Sequence, residues 1–198
     1  DPPGQTEAWH SEKLVRLPST FSCYQPDDTA PEVNSLPAAQ AGRITFGCFN
    51  NFAKITPEVI ARWGHLLRLL PDARLLLKSR GLDDPTTAAR IRTAFSDAGV
   101  ESERLALNGK ELSVHDHLRL YHGVDIGLDP FPYNGTTTTC EALWMGVPVI
   151  TLAGNVHAAR VGSSLMTHVG LPDLVTTTPD DYVARAAALA RDLTRLSE

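Results

Sequence analysis

The fold is decided by residues 124–141, VDIGLDPFPYNGTTTTCE, in which a short apolar run meets a loop rich in glycine and threonine. The apolar run, Val124–Asp129, has the length and composition of a buried strand. The Gly/Thr loop leads into a predicted helix around Cys140 to Met145, and Val147–Leu152 is a second apolar run of strand length. Strand, loop, helix and strand in this order form the repeating unit of a parallel sheet.

The same alternation extends in both directions from about residue 43. Further strands are predicted at Arg43–Phe49, Ala73–Lys78 and Arg104–Leu107. Helices are predicted to start at Thr56, to run from Asp84 to Gly99, from Ser113 to about Tyr121, from about His157 to Thr167, and from Pro179 to Leu196. The pattern predicts a doubly wound α/β domain, a Rossmann-like parallel sheet with helices on both faces.

The chain divides near residue 42. Residues 1–42 are expected to hold a short helix from Glu7 to Pro18 and then a linker, and residues 43–198 the Rossmann-like unit. The first residues, Asp1-Pro2, include no initiator methionine and do not form a signal peptide, so we expect a fragment or a processed chain.

Composition limits the classes of partner. The net charge is -5 without a Lys/Arg run, which gives no electrostatic reason to expect nucleic acid or an anionic membrane. No apolar stretch approaches the ~18 residues of a membrane span. Cys23, Cys48 and Cys140 are far apart and lack the spacing of a disulfide framework or a zinc site. A reducing, cytoplasmic compartment and a site without a metal are therefore expected.

Ligands of such sheets bind beyond the carboxyl ends of the strands, which selects the loop at residues 129–139. Gly135 permits a tight turn, and the threonines that follow offer amides and hydroxyls to an anion at the start of a helix. The alternative is that the threonines only cap the helix. A GxGxxG sequence and a Walker lysine are both absent from the chain.

Three further positions are candidates with two interpretations each. Glu141 either accepts hydrogen bonds from a ribose or is a surface carboxylate favoured by the helix dipole. Lys54 follows the first strand and either binds a diphosphate or lies free on the surface. Among His115, His117 and His122, one could stack on a base, or all belong to a polar helix surface.

Taken together, separated segments of the chain resemble one family. Residues 47–57 (GCFNNFAKITP), 127–129 (GLD) and 134–149 (NGTTTTCEALWMGVPV) are similar to the carboxyl-terminal catalytic lobe of the O-linked N-acetylglucosamine transferases, including the plant SPINDLY-type enzymes and bacterial tetratricopeptide-repeat glycosyltransferases. The resemblance runs from about Ser11 to Leu196, and residues 11–22 resemble the end of a first lobe.

The resemblance implies a GT-B fold and a metal-independent, inverting transfer of sugar from a nucleotide donor to Ser or Thr hydroxyls of proteins. It implies no cofactor besides the donor, most often UDP-N-acetylglucosamine. The partners it implies are an acceptor protein, a first catalytic lobe and tetratricopeptide repeats, the last two outside this chain. The chain is therefore expected to be incomplete and inactive alone.

The resemblance also assigns roles to residues. Lys54 matches the lysine that contacts the donor diphosphate, and Asn51 stands where animal enzymes have a glutamine. Thr137 and Thr138 match the phosphate-binding pair, and Glu141 matches a ribose-binding acid. His117 matches the histidine that stacks on uracil.

Two departures leave the donor open. Thr136, counted with the donor-binding residues, stands where animal enzymes have a histidine, and Val114 stands where they have a lysine near the base. SPINDLY-type relatives use GDP-fucose, so GDP-fucose or UDP-glucose are alternative donors. A third alternative is a Rossmann-like domain that senses nucleotides without catalysis.

Overall fold

The computed structural model describes residues 2–18 and 20–198, and within them the chain forms one sheet of six strands. The strands are β1 (Thr45–Cys48), β2 (Arg74–Lys78), β3 (Leu105–Asn108), β4 (Ile126–Leu128), β5 (Val149–Leu152) and β6 (Val175–Thr176). The α-helices are α1 (Pro37–Ala41), α2 (Pro57–Leu69), α3 (Pro85–Asp97), α4 (Val114–Arg119), α5 (Thr137–Trp144), α6 (Val161–His168), α7 (Pro179–Leu189) and α8 (Leu193–Ser197).

The strand order is β3-β2-β1-β4-β5-β6, and every pair of neighbouring strands is parallel. The chain builds one half of the sheet outward from β1, returns to the middle, and builds the other half from β4. The order therefore reverses between β1 and β4, and a crevice forms beyond the carboxyl ends of these two strands. The predicted fold class is confirmed. The edge of the sheet formed by the carboxyl ends of β1 and β4 is here called the ligand edge, because parallel sheets usually bind ligands at such a reversal.

The sheet is buried because helices cover it. Every residue of β4 and β5 is buried, as expected of parallel strands with packing on both faces. Helix α2 packs against α3 and α7, and α7 also packs against β5 and β6. The predicted caps begin their helices as expected: the side chains of Thr56, Asp84 and Ser113 accept hydrogen bonds from amides in the first turns of α2, α3 and α4.

A buried polar contact joins two of these helices to the end of β4. The indole nitrogen of Trp63 in α2 donates to the Tyr182 hydroxyl of α7 at 3.2 Å. That hydroxyl donates in turn to the Asp129 carbonyl, directly after β4, at 3.0 Å. Both aromatic side chains are fully buried. Two helices and the ligand edge of the sheet are thereby connected through one hydroxyl group.

Residues 29–38, here called the strap, run along the outside of α4 and the 3-10 turn that follows it. Ring nitrogens of His115 and His122 bond the carbonyl oxygens of Thr29 and Glu32 at 2.8 and 2.9 Å. At its end, the Ala38 amide donates to the Asp125 carboxylate at 2.7 Å. The strap is thus fastened to the α/β unit, while the division near residue 42 stays a prediction.

The structure corrects the prediction of a helix from Glu7 to Pro18. Only Glu7–Trp9 forms a helical turn, of the 3-10 type, and the residues after it are extended or irregular. Val15 and Leu17 are 78% and 57% exposed, so the apolar side of the expected helix has no surface to pack against in the described residues. A short helix without such packing is marginal in water. Asp1 and Ser19, which fall in the predicted first segment, lie outside the described residues.

Other boundaries differ as well. The predicted helix from Pro179 to Leu196 is two helices, because the Asp192 side chain accepts from the Arg195 amide and starts α8. The helix expected from His157 begins as a 3-10 turn, His157–Ala159, before α6. Neither α1 nor the two-residue strand β6 was predicted from the sequence.

We predict that Tyr182→Phe lowers the free energy of unfolding by about 1–3 kcal/mol, because it leaves the buried Trp63 indole N–H without its acceptor. Urea denaturation measures the change. Tyr133→Phe is the matched control, because the Tyr133 side chain is 56% exposed and its hydroxyl can bond to water. Equal midpoints for all three proteins would show that the buried hydroxyl contributes nothing to stability.

Candidate functional site

The loop between β4 and α5 is held by a buried carboxylate. Asp129 is 1% exposed, and its Oδ1 accepts a hydrogen bond from the Gly135 amide at 2.6 Å. Its Oδ2 accepts from the Thr151 hydroxyl of β5 at 2.7 Å. The carboxylate therefore closes residues 129–135 into a compact turn against the sheet.

Asn134 secures the same loop from the other side. Its amide nitrogen donates to the Pro130 carbonyl at 3.2 Å, and its amide oxygen accepts from the Gly162 amide of α6 at 3.3 Å. Gly135 next to it must be a glycine, because a Cβ atom there would lie 2.7 Å from the Thr138 hydroxyl oxygen. The loop is thus packed closely around the start of α5.

The threonines occupy the amino terminus of α5, as predicted. Thr136 precedes the helix, and its side chain makes no capping hydrogen bond. Thr137 is exposed and Thr138 is partly exposed, whereas Thr139 is buried. The first amides of a helix have no acceptor within it and carry the positive end of the dipole. This geometry favours anion binding over simple capping, and phosphate binding by Thr136, Thr137 and Thr138 stays a prediction.

Lys54 reaches this helix start from the neighbouring strand. It ends the 3-10 turn Phe52–Lys54 that follows β1. Its ammonium donates to the Asn134 carbonyl at 2.9 Å and to the Asn50 side-chain oxygen at 3.3 Å. The Tyr133 ring covers the ammonium, with its centroid 4.3 Å away. Lys54 and the threonine loop, 80 residues apart in sequence, therefore meet at one point.

The surroundings of Lys54 and Asp129 perturb both groups. Burial lowers the pKa of Lys54, while the negative charge of Asp129 acts in the opposite direction. Burial raises the pKa of Asp129 to about 7, against the opposing effects of its hydrogen bonds to Gly135 and Thr151 and of the Lys54 charge. Perturbed groups at a ligand edge are typical of functional sites.

His117 and Glu141 form a pair beside the threonine loop. The distance from His117 Nε2 to Glu141 Oε2 is 3.0 Å, and both side chains are largely buried. The His117 ring lies near Phe49, with centroids 5.7 Å apart. Its second nitrogen, Nδ1, is buried and has no hydrogen-bond partner among the described residues. Glu141 thus has a defined partner, which a free surface carboxylate would not have.

Asn51 and the other histidines are used differently. The Asn51 side chain is exposed and accepts from the Ala53 amide at 3.0 Å, so in this structure it caps its own 3-10 turn. Its donor-binding role stays a prediction. His115 and His122 bond the strap, so among these three histidines His117 is the one that pairs with Glu141.

Sequence reasoning missed Asp129 and Asn134, although both lay inside the segment it selected. The available signal was an acid placed directly at the end of an apolar strand and an asparagine placed directly before the loop glycine. Both are at most 1% exposed, and buried polar side chains are normally kept for the hydrogen bonds they make. The residues they bond could not be read from the sequence.

Two general features concern residues 2–18 and 20–198. No three of their His, Cys, Asp or Glu side chains are grouped so that they could hold a metal ion. None of their helices combines the length and the apolar character that crossing a membrane requires.

Comparison with known proteins agrees with this geometry. The model of glycosyl transferase family 41 matches residues 31–198. The chain belongs to glycosyl transferase family 41. It is 47% identical over its whole length to the Arabidopsis thaliana protein named probable UDP-N-acetylglucosamine--peptide N-acetylglucosaminyltransferase SPINDLY, and covers 22% of that protein. It is 30% identical over 94% of its length to the A. thaliana family member SEC, of which it covers 20%.

A solved structure places the chain within a larger family member. A mutant of the O-GlcNAc transferase of Thermobaculum terrenum superposes with a TM-score of 0.91 at 42% identity, covering 98% of this chain and 36% of that one. The chain therefore has the fold of the carboxyl-terminal lobe of a GT-B glycosyltransferase. It spans about a fifth of the length of the curated family 41 relatives it matches.

We predict that Glu141→Gln weakens UDP binding about ten- to a hundredfold, because hydrogen bonds from ribose hydroxyls to a charged carboxylate contribute roughly 1.5–3 kcal/mol. Isothermal titration measures the affinity, and a UDP analogue without ribose hydroxyls should show little difference between the two proteins.

The matched control for this substitution is Asp116→Asn, which removes an exposed carboxylate from α4 and should leave UDP affinity unchanged. If Glu141→Gln lost the same affinity for UDP and for the analogue, Glu141 would not contact the ribose.

Proposed function

We propose that this chain is the donor-binding lobe of a protein O-glycosyltransferase, which binds a nucleoside diphosphate sugar at the reversal of its strand order. The preferred donor in this proposal is UDP-N-acetylglucosamine, because the full names of its relatives SPINDLY and SEC contain this sugar nucleotide. The reaction is an inverting transfer of the sugar to Ser or Thr hydroxyls of an acceptor protein.

The observation that carries the proposal is the position of the Lys54 ammonium near the start of α5. Its hydrogen bonds go to neutral oxygens of Asn134 and Asn50, and it lies close to a helix end that is itself positive. Two positive features placed together at the surface of the crevice favour the binding of an anion between them. A diphosphate has the charge and the number of acceptor oxygens to bind both.

The pair of His117 and Glu141 supports the nucleoside half of the proposal. Glu141 lies one turn beyond the first threonines of α5, at the distance along the helix where a ribose would follow a diphosphate. The His117 ring, which is held by Glu141 and lies near Phe49, offers a flat surface to a base. The helix start and the pair thus supply separate contacts for phosphate, ribose and base.

The proposed chemistry follows from the charge that develops during transfer. An acceptor hydroxyl attacks the anomeric carbon and its proton is released to solvent. The bond from that carbon to the diphosphate oxygen breaks, and negative charge collects on the departing diphosphate. Lys54 and the amides at the start of α5 stabilise that charge without rearrangement, because they are held in place beforehand. Lys54 is the catalytic residue of this lobe in the proposal.

A guanine nucleotide donor is the second candidate. Val114 begins α4, three residues before His117 and on the same side of the helix, and it is 51% exposed. It places an apolar side chain where the resemblance expects a lysine near the base. The identity to SPINDLY, 47% against 30% to SEC, agrees with the GDP-fucose alternative that the resemblance raised.

The proposal includes partners beyond this chain. An acceptor protein, a first catalytic lobe and tetratricopeptide repeats would complete the enzyme, since the chain covers 36% of the Thermobaculum enzyme and about a fifth of its plant relatives. Cytoplasmic location belongs to the same proposal.

We predict that the chain binds UDP more tightly than ADP, and that Lys54→Met weakens the binding. Isothermal titration with UDP, GDP and ADP measures the preference for a base, and the same titrations with Lys54→Met measure the contribution of the diphosphate contact. In the full-length enzyme, loss of one such charged contact should lower turnover at saturating donor about a hundredfold, since on the order of 3 kcal/mol of transition-state stabilisation disappears.

Lys110→Met serves as the control, because Lys110 is an exposed lysine outside the site. If GDP bound more tightly than UDP, the guanine nucleotide donor would replace UDP-N-acetylglucosamine as the proposed substrate. Equal affinity for all three nucleotides, or unchanged turnover in Lys54→Met, would contradict the proposal.

A further inference from the structure

Asp129 and Lys54 belong to one network that runs through the main chain of the loop. The Asp129 carboxylate binds the Gly135 amide, and the carbonyl of the preceding residue, Asn134, binds the Lys54 ammonium. The two charged groups are therefore attached to consecutive residues, Asn134 and Gly135. A movement of the Gly135 amide would displace the acceptor of Lys54.

A carboxylate is a costly choice for this buried position. The Gly135 amide and the Thr151 hydroxyl are both neutral donors, and an amide oxygen in place of Asp129 could accept the shorter of these bonds without carrying a charge. Burying an unpaired charge is unfavourable, and burial raises the pKa of Asp129 to about 7. The charge itself thus requires an explanation that the two hydrogen bonds do not give.

Lys54 supplies that explanation. Burial favours its neutral form, and its hydrogen-bond acceptors Asn50 and Asn134 are neutral, so the negative charge that acts on it most strongly is that of Asp129. A neutral amine would bind a diphosphate far less well than an ammonium. A lysine that has to be both partly buried and charged needs a nearby anion even before a nucleotide arrives.

We propose that Asp129 is a positioning residue of the donor site: its buried carboxylate fixes the loop through the Gly135 amide and keeps the Lys54 ammonium charged beside the start of α5. This inference rests on the proposed function, and it adds a residue that touches neither the nucleotide nor the acceptor.

Two other titratable groups near the pair, Cys48 and Tyr182, keep one charge state between about pH 6 and pH 10. Cys48 in β1 faces both residues, and burial raises the pKa of its thiol to about 12. Tyr182 of α7 binds the Asp129 carbonyl, and burial raises the pKa of its hydroxyl well above the usual value. Tyr133 contributes its ring face to Lys54. Neither Cys48 nor Tyr182 therefore titrates in the range in which Lys54 is compared between the proteins.

The first experiment measures the titration of Lys54 directly. The chain has four lysines, at positions 13, 54, 78 and 110, so side-chain NMR with ¹³C-labelled lysine resolves them, and Lys54→Met assigns the signal. We expect the midpoint of Lys54 to fall by about one pH unit or more in Asp129→Asn, because an opposite charge nearby shifts a pKa by this order. The wild-type signal should also sense the titration of Asp129 near about pH 7, and the variant should not.

Thr151→Val is the matched control, since it removes one hydrogen bond from the carboxylate but leaves the ionisable group in place. The pKa of Asp129 should rise in this variant, because that hydrogen bond lowers it, but the carboxylate should still be charged at the higher pH at which Lys54 titrates. It should leave the Lys54 midpoint within a few tenths of a pH unit of the wild type. Protection of the Gly135 amide from hydrogen exchange, compared in all proteins, shows whether Asp129→Asn keeps the loop in place.

The second experiment measures UDP affinity, or GDP affinity if GDP binds more tightly, between about pH 7 and pH 9. Affinity should decline more steeply with rising pH in Asp129→Asn than in the wild type, by up to tenfold for each pH unit that the Lys54 midpoint falls. In the Lys54→Met background, Asp129→Asn should no longer change the slope, because the group that responds to the charge is absent.

The outcomes separate the two proposals. A wild-type chain that binds none of the nucleotides contradicts the proposed function, whatever the Lys54 midpoint is. A chain that binds nucleotide, with the same Lys54 midpoint and the same pH dependence in Asp129→Asn, overturns the inference and leaves the proposed function standing. An equal change in Thr151→Val also overturns it, because hydrogen bonding and not charge would then be responsible.

Discussion

The hydrogen bond from the Gly135 amide to the Asp129 carboxylate is the contact on which the arrangement of the ligand edge depends. It spans only six residues, yet it decides where α5 begins and which way its first amides face. The Asn134 carbonyl is presented to Lys54 by the same turn. The positive edge of the sheet is thus built from one short loop, and Lys54, from the 3-10 turn after β1, joins a site that the loop has already formed.

The loop is rigid because each buried polar group in it has a partner. Asn134 bonds within the loop and to α6, and the Asp129 carbonyl accepts from Tyr182, which is itself bound to Trp63. Removing any of these partners would leave a buried donor or acceptor unsatisfied, at a cost of about 1–3 kcal/mol. Core packing and ligand-edge geometry are therefore coupled, and a substitution at Trp63 can change the geometry of the site.

Most of the fold followed from local patterns in the sequence. Apolar runs gave five of the strands, and Thr56 and Ser113 marked the starts of their helices because a cap acts on amides only two or three residues away. The helix expected at residues 7–18 failed for the opposite reason, because it depends on a packing surface that periodicity does not describe. The two-residue strand β6 is too short to have a pattern.

The site was predictable to the extent that its residues share one edge of the sheet. The rule for parallel sheets selected Lys54, the threonines and Glu141 before any contact was known. The pairings were not predictable, because the partners lie far apart in sequence: 80 residues separate Lys54 from Asn134 and 24 separate His117 from Glu141. The orientation of a side chain depends on such partners, and no local pattern records them.

The strap has a consequence for how its sequence can vary. His115 and His122 hold it by carbonyl oxygens of Thr29 and Glu32, which every amino acid possesses. The attachment therefore constrains the histidines but leaves the side chains of these two strap residues free to change. Sequence drift at these two positions would not break the attachment, whereas loss of either histidine would remove one of the contacts that hold the strap against the helix of His117.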